Sequence, residues 1–391
     1  MARSLVVAPE PFFTPRGTPF SVYYRTLVMA ELGMHIDLLT YGTGDDIDIP
    51  GVRTIRIPRF RILEPIPVGP SFVKAVLDIF VTLWMFALLV RNRYAFVHAH
   101  EEAVFIARVL KPLFGFSLIY DMHSSLPQQL RNFAFTQSRL LTAIFDRLER
   151  SAIRHADAVI TISPHLAAHA QSLLPPGHHH ELIENSIHTP VQLRKQQKQN
   201  APLEIPADRK LILYAGTFEP YQGLGLLLAA FSDLHRQKRD TQLVLIGGTS
   251  QQVSDVRRKA HDLALDGRVH VFGQVSQETV REATAQAAVV VSPRTTGSNT
   301  PLKVYEILAG KTPLVATRIS AHTQVLTDTE CFLVDPLPAA MAAGMAQAID
   351  DTPLAQAKVT AAQHLYGNRY SRQVYEAKLK RVINFVAPGT V

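Results

Sequence analysis

Short apolar runs recur along the chain, each separated from the next by a longer stretch with helical spacing. In the first half the runs are Leu5–Ala8, His35–Tyr41, Val52–Ile57, Ala95–Ala99, Leu118–Asp121, Ala158–Ile162 and Glu181–Glu184. Several are β-branched without strict alternation, as strands buried on both faces of a parallel sheet require. Helical spacing falls between them at Ser21–Leu32, Phe72–Arg91, Glu102–Leu113, Ser138–His155 and His165–Leu174. This strand–helix rhythm predicts a doubly wound α/β domain over residues 1–190. Residues 191–210, rich in proline and polar side chains, read as a linker. A second α/β set over 211–370 has strand candidates Leu211–Ala215, Gln242–Ile246, Val269–Phe272, Ala288–Val291, Pro313–Ala316 and Phe332–Val334. The predicted fold is thus two Rossmann-like doubly wound domains facing across a cleft, with an amphipathic C-terminal helix (371–391) packing back on the first.

One helix departs from amphipathic spacing. Ser71 to Val90 carries only Lys74 and Asp78 as charges. Its continuous apolar core, Ile79–Val90, falls short of the ~20 residues of a membrane span. The pattern predicts a helix buried between the sheet and its neighbours. A face laid on a bilayer, supported by Arg53, Arg56, Arg59, Arg61, Arg91 and Arg93, is the second reading.

Composition narrows the setting. The 391 residues are too many for one ordinary core, and 47% hydrophobic with 19% charged residues is a globular balance. A formal charge of +7 favours anionic partners such as phosphorylated substrates, nucleic acid or an anionic membrane. No phosphate loop of the Gly-x4-Gly-Lys type and no RNA-binding pairing of aromatic with basic residues occurs, so nucleic acid is not expected as a partner. Nor does any His-Glu-x-x-His or Cys/His spacing for zinc, so no metal is expected. The single cysteine, Cys331, and an N-terminus unlike a signal peptide predict a cytoplasmic protein.

The candidate chemistry concentrates in Ala288-Val-Val-Val-Ser-Pro-Arg294, Thr295-Thr-Gly-Ser-Asn-Thr300 and Pro301-Leu-Lys-Val-Tyr-Glu-Ile-Leu-Ala-Gly310. These read as a buried strand, a polar loop, and a helix with Thr300 as N-cap and Pro301 at its first position. The exposed amides of a helix start form an anion site. Lys303 sits in the first turn, where the macrodipole disfavours a cation unless an anion offsets it. Either a phosphate-bearing ligand meets Lys303, or Lys303 is a solvated partner of Glu306. Other predicted strand ends carry small or polar residues too: Gly216-Thr217, Gly247-Gly248 and Gly273-Gln274. Several glycines round one sheet edge point to a ligand approached closely by backbone.

These motifs resemble those of the retaining, nucleotide-sugar-dependent glycosyltransferases of GT-B fold, in family four. The second half matches through Leu213-Tyr-Ala-Gly-Thr-Phe-Glu-Pro-Tyr-Gln-Gly-Leu-Gly-Leu-Leu-Leu-Ala-Ala-Phe231, Val244-Leu-Ile-Gly-Gly248, Val271-Phe-Gly-Gln274 and Ser292 through Thr317, in the variant with Asn-Thr-Pro-Leu-Lys in the donor loop. The first half matches through Pro15-Arg-Gly-Thr-Pro19, Val97-His-Ala-His100, Tyr120-Asp-Met-His123 and Ala156-Asp-Ala-Val159. The resemblance implies Glu306 on the nucleotide ribose, Asn299 and Thr300 on the donor diphosphate, and Gly273 and Gln274 beside the base. It implies Gly17, with Thr18, in a loop against the β-phosphate or the sugar, and His123 at the transferred sugar. Gly216 and Thr217 would line the donor pocket. Three positions depart from the family pattern. Ser298 stands for the first glutamate of the family's pair, Thr217 and Gln222 for the arginine and lysine that clamp the diphosphate, and Arg16-Gly17-Thr18 for a pair of glycines. Arg294 and Lys303 flank the same loop and are candidates to replace the clamp.

The resemblance implies a hexosyltransferase that uses a UDP- or GDP-linked sugar, retains anomeric configuration and glycosylates a lipid-linked or saccharide acceptor. The protein would be cytoplasmic, or peripheral at the membrane's inner face, in glycolipid or polysaccharide assembly. A catalytically impaired GT-B binding subunit of a membrane glycan assembly complex is the alternative. A non-hydrolysing sugar-nucleotide epimerase is a third reading, less suited to the Glu306 context.

Overall fold

The computed structural model describes residues 2–14, 17–67, 71–125, 127, 139–186, 191, 203–206 and 208–391. Most of the expected linker, and Pro15 and Arg16 of the first loop, lie outside the described residues. The chain divides into two compact units, one comprising the chain up to Asn185 and again Arg372–Val391, the other ending at Ser371.

The first unit is built on strands β1 (Arg3–Ala8), β2 (His35–Thr40), β3 (Val52–Arg56), β4 (Phe96–His100), β5 (Ser117–Met122), β6 (Ala158–Thr161) and β7 (His179–Leu182). They form one parallel sheet in the order β3-β2-β1-β4-β5-β6-β7. β1, β4, β5 and β6 are buried almost throughout, which is why they are mostly apolar, with His98, His100 and Asp121 as buried polar exceptions on β4 and β5. The strand order reverses between β1 and β4, and open α/β sheets bind ligands beyond the carboxyl ends of strands at such a point.

The second unit repeats the plan with β8 (Lys210–Ala215), β9 (Thr241–Ile246), β10 (Val269–Phe272), β11 (Val289–Ser292), β12 (Leu314–Thr317) and β13 (Phe332–Val334). All are parallel, in the order β10-β9-β8-β11-β12-β13, and the reversal falls between β8 and β11. The loop singled out by its sequence, residues 293–301, therefore leaves the sheet at its switch point.

Three expectations are corrected. The first helix runs Gly17–Glu31, so Gly17 and Thr18 open a helix rather than occupy a loop, with nothing within 4 Å of a Cβ built on Gly17. The seventh strand lies two residues earlier than expected, because His179 and His180 pair with Ala158 and Val159 of β6. The apolar helix Phe72–Arg91, capped by the Ser71 hydroxyl accepting from the Lys74 amide, is buried on one side only. Leu77, Val81, Met85 and Leu89 face the core, and Asp78 accepts from the Tyr41 hydroxyl at 2.7 Å. On the other side Phe72, Ile79, Leu83, Phe86 and Val90 are exposed.

The C-terminal helix Arg372–Val386 belongs to the first unit. Its apolar face (Tyr375, Leu379, Val382, Ile383, Val386) is buried there, and Lys378 and Arg381 pair with Glu184 and Glu181.

Candidate functional site

In the second unit the loops after β8 and β11 press together at the switch point. Gly223 makes this possible: its φ is +74°, and a Cβ there would stand 1.9 Å from the Pro293 carbonyl oxygen. Thr295 donates its amide to Tyr221 O at 3.0 Å, and Arg294 stacks its guanidinium over the Tyr221 ring at 5.1 Å. Arg294 Nη1 donates to Asn299 O at 2.8 Å and its Nε reaches Gln222 Oε1 at 3.4 Å. Gln222 in turn donates to the Thr217 hydroxyl at 3.1 Å. The residues standing where the family's clamp would be thus hold one another and Arg294.

The helix after this loop spans Leu302–Ala309 with Pro301 at the N-cap and no side-chain cap. This corrects the expected start by one residue. The Thr300 hydroxyl instead accepts from Gln324 Nε2 at 3.0 Å, while the same amide donates to Ser298 O at 2.7 Å. Helix geometry leaves the first amides, those of Leu302 and Lys303, without an intrahelical partner.

Lys303 does not pair with Glu306, which overturns the solvated-pair reading. Glu306 accepts from Arg281 Nε at 2.9 Å. The Lys303 stem is half-buried but its ammonium is enclosed, 3.8 Å above the Tyr214 ring and without a hydrogen-bond partner among the described residues. Burial, then the nearby Arg294 charge, pushes its pKa well below the ordinary lysine value. The ring beneath favours the charged form, but desolvation of an ammonium with no acceptor outweighs one such contact. Burial also lowers Arg294. Gly216 lies against this pair: a Cβ there would be 3.0 Å from the Tyr214 hydroxyl and 3.4 Å from Lys303 Nζ. Gln324 and His322 lie in no matched motif, and Tyr214 and Tyr221, though inside the Leu213–Phe231 stretch, are not marked there as partners of Lys303 and Arg294. They become site neighbours only through the sheet order.

Gly273 and Gln274 follow β10, an edge strand separated from β8 by β9. Gly247 links the two ends, donating its amide to Phe272 O and Gly273 O, both at 3.1 Å.

In the first unit a second polar group lies under the β1/β4 switch point. His98 and His100 are two apart on β4 and share one face, their rings stacked with centroids 4.6 Å apart. His100 lies across from Asp121 in the β4–β5 register, and His123 comes two residues after Asp121. Asp121 Oδ2 accepts from Arg25 Nε at 2.7 Å and faces His98 Nε2 at 3.0 Å. His100 Nδ1 and His123 Nε2 are 2.9 Å apart. Arg25 also donates to Ile183 O at 2.9 Å and lies 5.0 Å from the Tyr375 ring centroid. Burial pushes His100 well down and His123 to about 4, whereas Asp121 is held well below the carboxylate range by Arg25 and the neighbouring histidines despite its burial. Ligand atoms of His98, His100 and Asp121 lie within 4.8 Å of one another, a spacing that could hold a metal ion and that no sequence motif signals. Arg25 competes there, since its guanidinium already neutralises the carboxylate.

Two family descriptions match the chain, one per half: "Glycosyl transferase 4-like domain" over residues 27–186 and "Glycosyl transferases group 1" over residues 195–365. Among curated relatives, the phosphatidyl-myo-inositol mannosyltransferase of Mycolicibacterium smegmatis is 29% identical over 185 residues, 46% of this chain and 47% of that protein. The chain spans about half the length of the curated mannosyltransferases it matches. An uncharacterized glycosyltransferase of Bacillus subtilis, YqgM, is 25% identical over 67% of each chain. Among solved structures, the sucrose-phosphate synthase of Thermosynechococcus elongatus has TM-score 0.76 at 20% identity over 98% of both chains. Anabaena HepE in complex with UDP and glucose has TM-score 0.72 at 14% identity, covering 98% of this chain and 100% of that one. At these identities the structural likeness establishes the fold, which is GT-B.

Proposed function

We propose, from a family match in each half and from the GT-B fold, that the chain is a group 1 glycosyltransferase that transfers a sugar from a nucleoside diphosphate sugar to an acceptor hydroxyl with retention of anomeric configuration. One observation carries the donor site: the enclosed Lys303 amine beside Arg294, with no acceptor among the described residues, at a helix start on the switch point. A buried lysine, which an anion would hold charged, and an arginine beside it at a helix start whose first amides lack intrahelical partners suit a strong, multiply charged anion. A diphosphate answers that need without any further residue.

In this reading Arg294 and Lys303 clamp the diphosphate in place of the family's pair, with Asn299, Thr300 and Ser298 on the loop and Gly216 and Thr217 at the pocket floor. Glu306, oriented by Arg281, takes the ribose hydroxyls. Gly273 and Gln274 lie by the base, and UDP-bound HepE favours uridine over guanosine as the first donor to try. Gly17 and Thr18, at the opening of a helix, offer amides to phosphate or sugar. His123 orients the transferred sugar.

Leaving-group departure is the demanding step. Charge grows on the diphosphate oxygens, where Lys303, Arg294 and the helix start stabilise it as it develops. The loops after β8, β9, β10 and β11 carry only one carboxylate, Glu219. A departing phosphate that itself takes the acceptor proton needs no protein base, which suits retention. The acceptor is read as lipid-linked, supported by the exposed apolar face of the Phe72–Arg91 helix and by a relative that mannosylates phosphatidyl-myo-inositol. The reading places the protein at the inner face of a membrane.

Calorimetry against UDP and GDP tests the donor site. Arg294→Ala/Lys303→Ala should weaken nucleotide binding by at least about a hundredfold, two charge-assisted contacts at roughly 1.5–3 kcal/mol each. An unchanged dissociation constant would sink the clamp. Failure of the wild type to bind either nucleotide would favour a catalytically impaired binding subunit, the reading that Ser298, Thr217 and Gln222 motivate.

A further inference from the structure

Lys303 ends in surroundings that suit an amine better than an ammonium. Its Nζ rests 3.8 Å from the Tyr214 ring centroid, against Gly216, with no hydrogen-bond acceptor among the described residues. An ammonium has three donors, and leaving them all dry costs far more than burying a neutral amine. Nor do the groups that face it supply a negative charge. From the end of β8, the Tyr214 hydroxyl is kept protonated by burial and donates to Thr217 O at 2.7 Å. From the loop after β11 comes the Arg294 guanidinium, a like charge that adds to the effect of burial. After β12, burial keeps His322 neutral down to about pH 4. On the lysine's own helix, Glu306 is turned to Arg281.

A diphosphate reverses these conditions, since it supplies both acceptors and opposite charge. The residue as a whole is only half-buried, and its four-carbon stem is flexible. We propose that Lys303 is a neutral amine in the empty site, and that an arriving diphosphate draws it off the Tyr214 ring and fixes a proton on it. One solvent proton then binds the Nζ lone pair for each diphosphate bound, and the resulting ammonium donates a charge-assisted hydrogen bond. Lys303 is in this way specificity-determining. It becomes a cation only opposite an anion strong enough to hold the proton there. The coupling rests on the reading of this loop as the donor site. The state of the amine in the empty protein does not depend on it.

Calorimetry with UDP at pH 8, in Hepes and in Tris, measures proton uptake through the different ionisation heats of the buffers. The terminal phosphate, with a second pKa of about 6, is already ionised there and brings no proton. The wild type should take up close to one proton per UDP, and its dissociation constant should rise about tenfold from pH 7.5 to 8.5. Lys303→Arg, charged throughout this range, should bind UDP without uptake and with little pH dependence. Lys303→Met should show no uptake and bind roughly ten- to a hundredfold more weakly. Protein labelled with 15N-lysine reports the empty site directly, with Lys303→Met identifying the signal. Its Nζ should be an amine at pH 8. Binding of UDP without proton uptake overturns the proposal, as does uptake that survives in Lys303→Arg or an ammonium in the empty wild type. Should Lys303→Arg fail to fold, Lys303→Met and the spectra decide. A wild type that does not bind UDP removes the coupling, and the spectra still show whether the amine is neutral, so the two failures are told apart.

Discussion

His322 joins two strand ends beside the donor loop: its Nδ1 meets Thr317 O at 2.8 Å and its Nε2 meets Ser292 Oγ at 2.9 Å. The carbonyl can only accept, so Nδ1 carries the proton and Nε2 receives the serine hydroxyl. Burial lowers its pKa to about 4, the nearby Arg294 charge adding to the effect. An unfolded histidine titrates near 6.5. Below pH 6.5 the unfolded chain therefore binds a proton that the folded chain refuses until about pH 4. The contribution is fully present above pH 6.5 and is lost as pH falls toward 4. Between pH 7 and 5 the loss should be about 2 kcal/mol, 1.36 kcal/mol for each unit below 6.5. Hydrogen exchange of the β11 and β12 amides measures it, with His322→Gln as reference. Equal pH dependence in the two proteins would contradict the assignment. His322 was invisible in the sequence because its partners Ser292 and Thr317 become neighbours only in the β11–β12 pairing. Lys303 was legible as an anomaly, a cation in a first helical turn. Its surroundings were not, since Tyr214 comes from the end of another strand.

At the scale of elements, strand and helix positions were largely written in the hydrophobic pattern, because parallel strands buried on both faces are mostly apolar, the mutually paired His98, His100 and Asp121 excepted. Where the pattern misled was the Phe72–Arg91 helix, which reads as buried all round yet buries one side. Composition alone could not decide this, since both sides are apolar. Phe72, Ile79, Leu83, Phe86 and Val90 fall within about 60° of arc at ~100° per residue, and are between 46% and 80% exposed. Val109 and Leu113 of the Ala103–Phe114 helix are exposed too, and Phe86 meets Phe114 edge-on at 5.5 Å. The helix passes the length and hydropathy of a membrane span. Its other side, with Asp78 bonded to Tyr41, is committed to the core, so it is read as lying on a bilayer rather than crossing one. Of the six arginines that could anchor it, Arg53, Arg56 and Arg59 are held by Asp37, Asp46 and Glu64, whereas Arg61, Arg91 and Arg93 make no ion pair among the described residues. Sedimentation with anionic liposomes should show binding that weakens as salt rises. Leu83→Glu/Phe86→Glu should reduce it at least about tenfold, each buried apolar side chain contributing roughly 1.5–3 kcal/mol. Binding unaltered by that double change would remove the bilayer-facing role from this helix.

For the molecule as a whole, the fold was legible through the order of motifs, each weak alone. The chemistry was less so, because the departures at Ser298, Thr217 and Gln222 fall on the donor side. The structure gives those departures a physical sense. Thr217, Gln222 and Arg294 form one hydrogen-bonded chain, so the two departing residues hold a single arginine from β11's loop. The clamp proposed for Arg294 and Lys303 would keep charge stabilisation at the leaving group, so an active enzyme is expected. A ligand that binds only the folded state at a hundred times its dissociation constant stabilises it by about 2.7 kcal/mol. For a unit of 150–250 residues that is a rise in Tm of roughly 5–11 °C. A thermal-shift screen of UDP- and GDP-linked hexoses should therefore reveal at least one stabilising donor. With that donor, the anomeric 1H coupling of the product should match the donor's. An inverted product would refute retention, and stabilisation without turnover on any acceptor would make the chain a binding subunit.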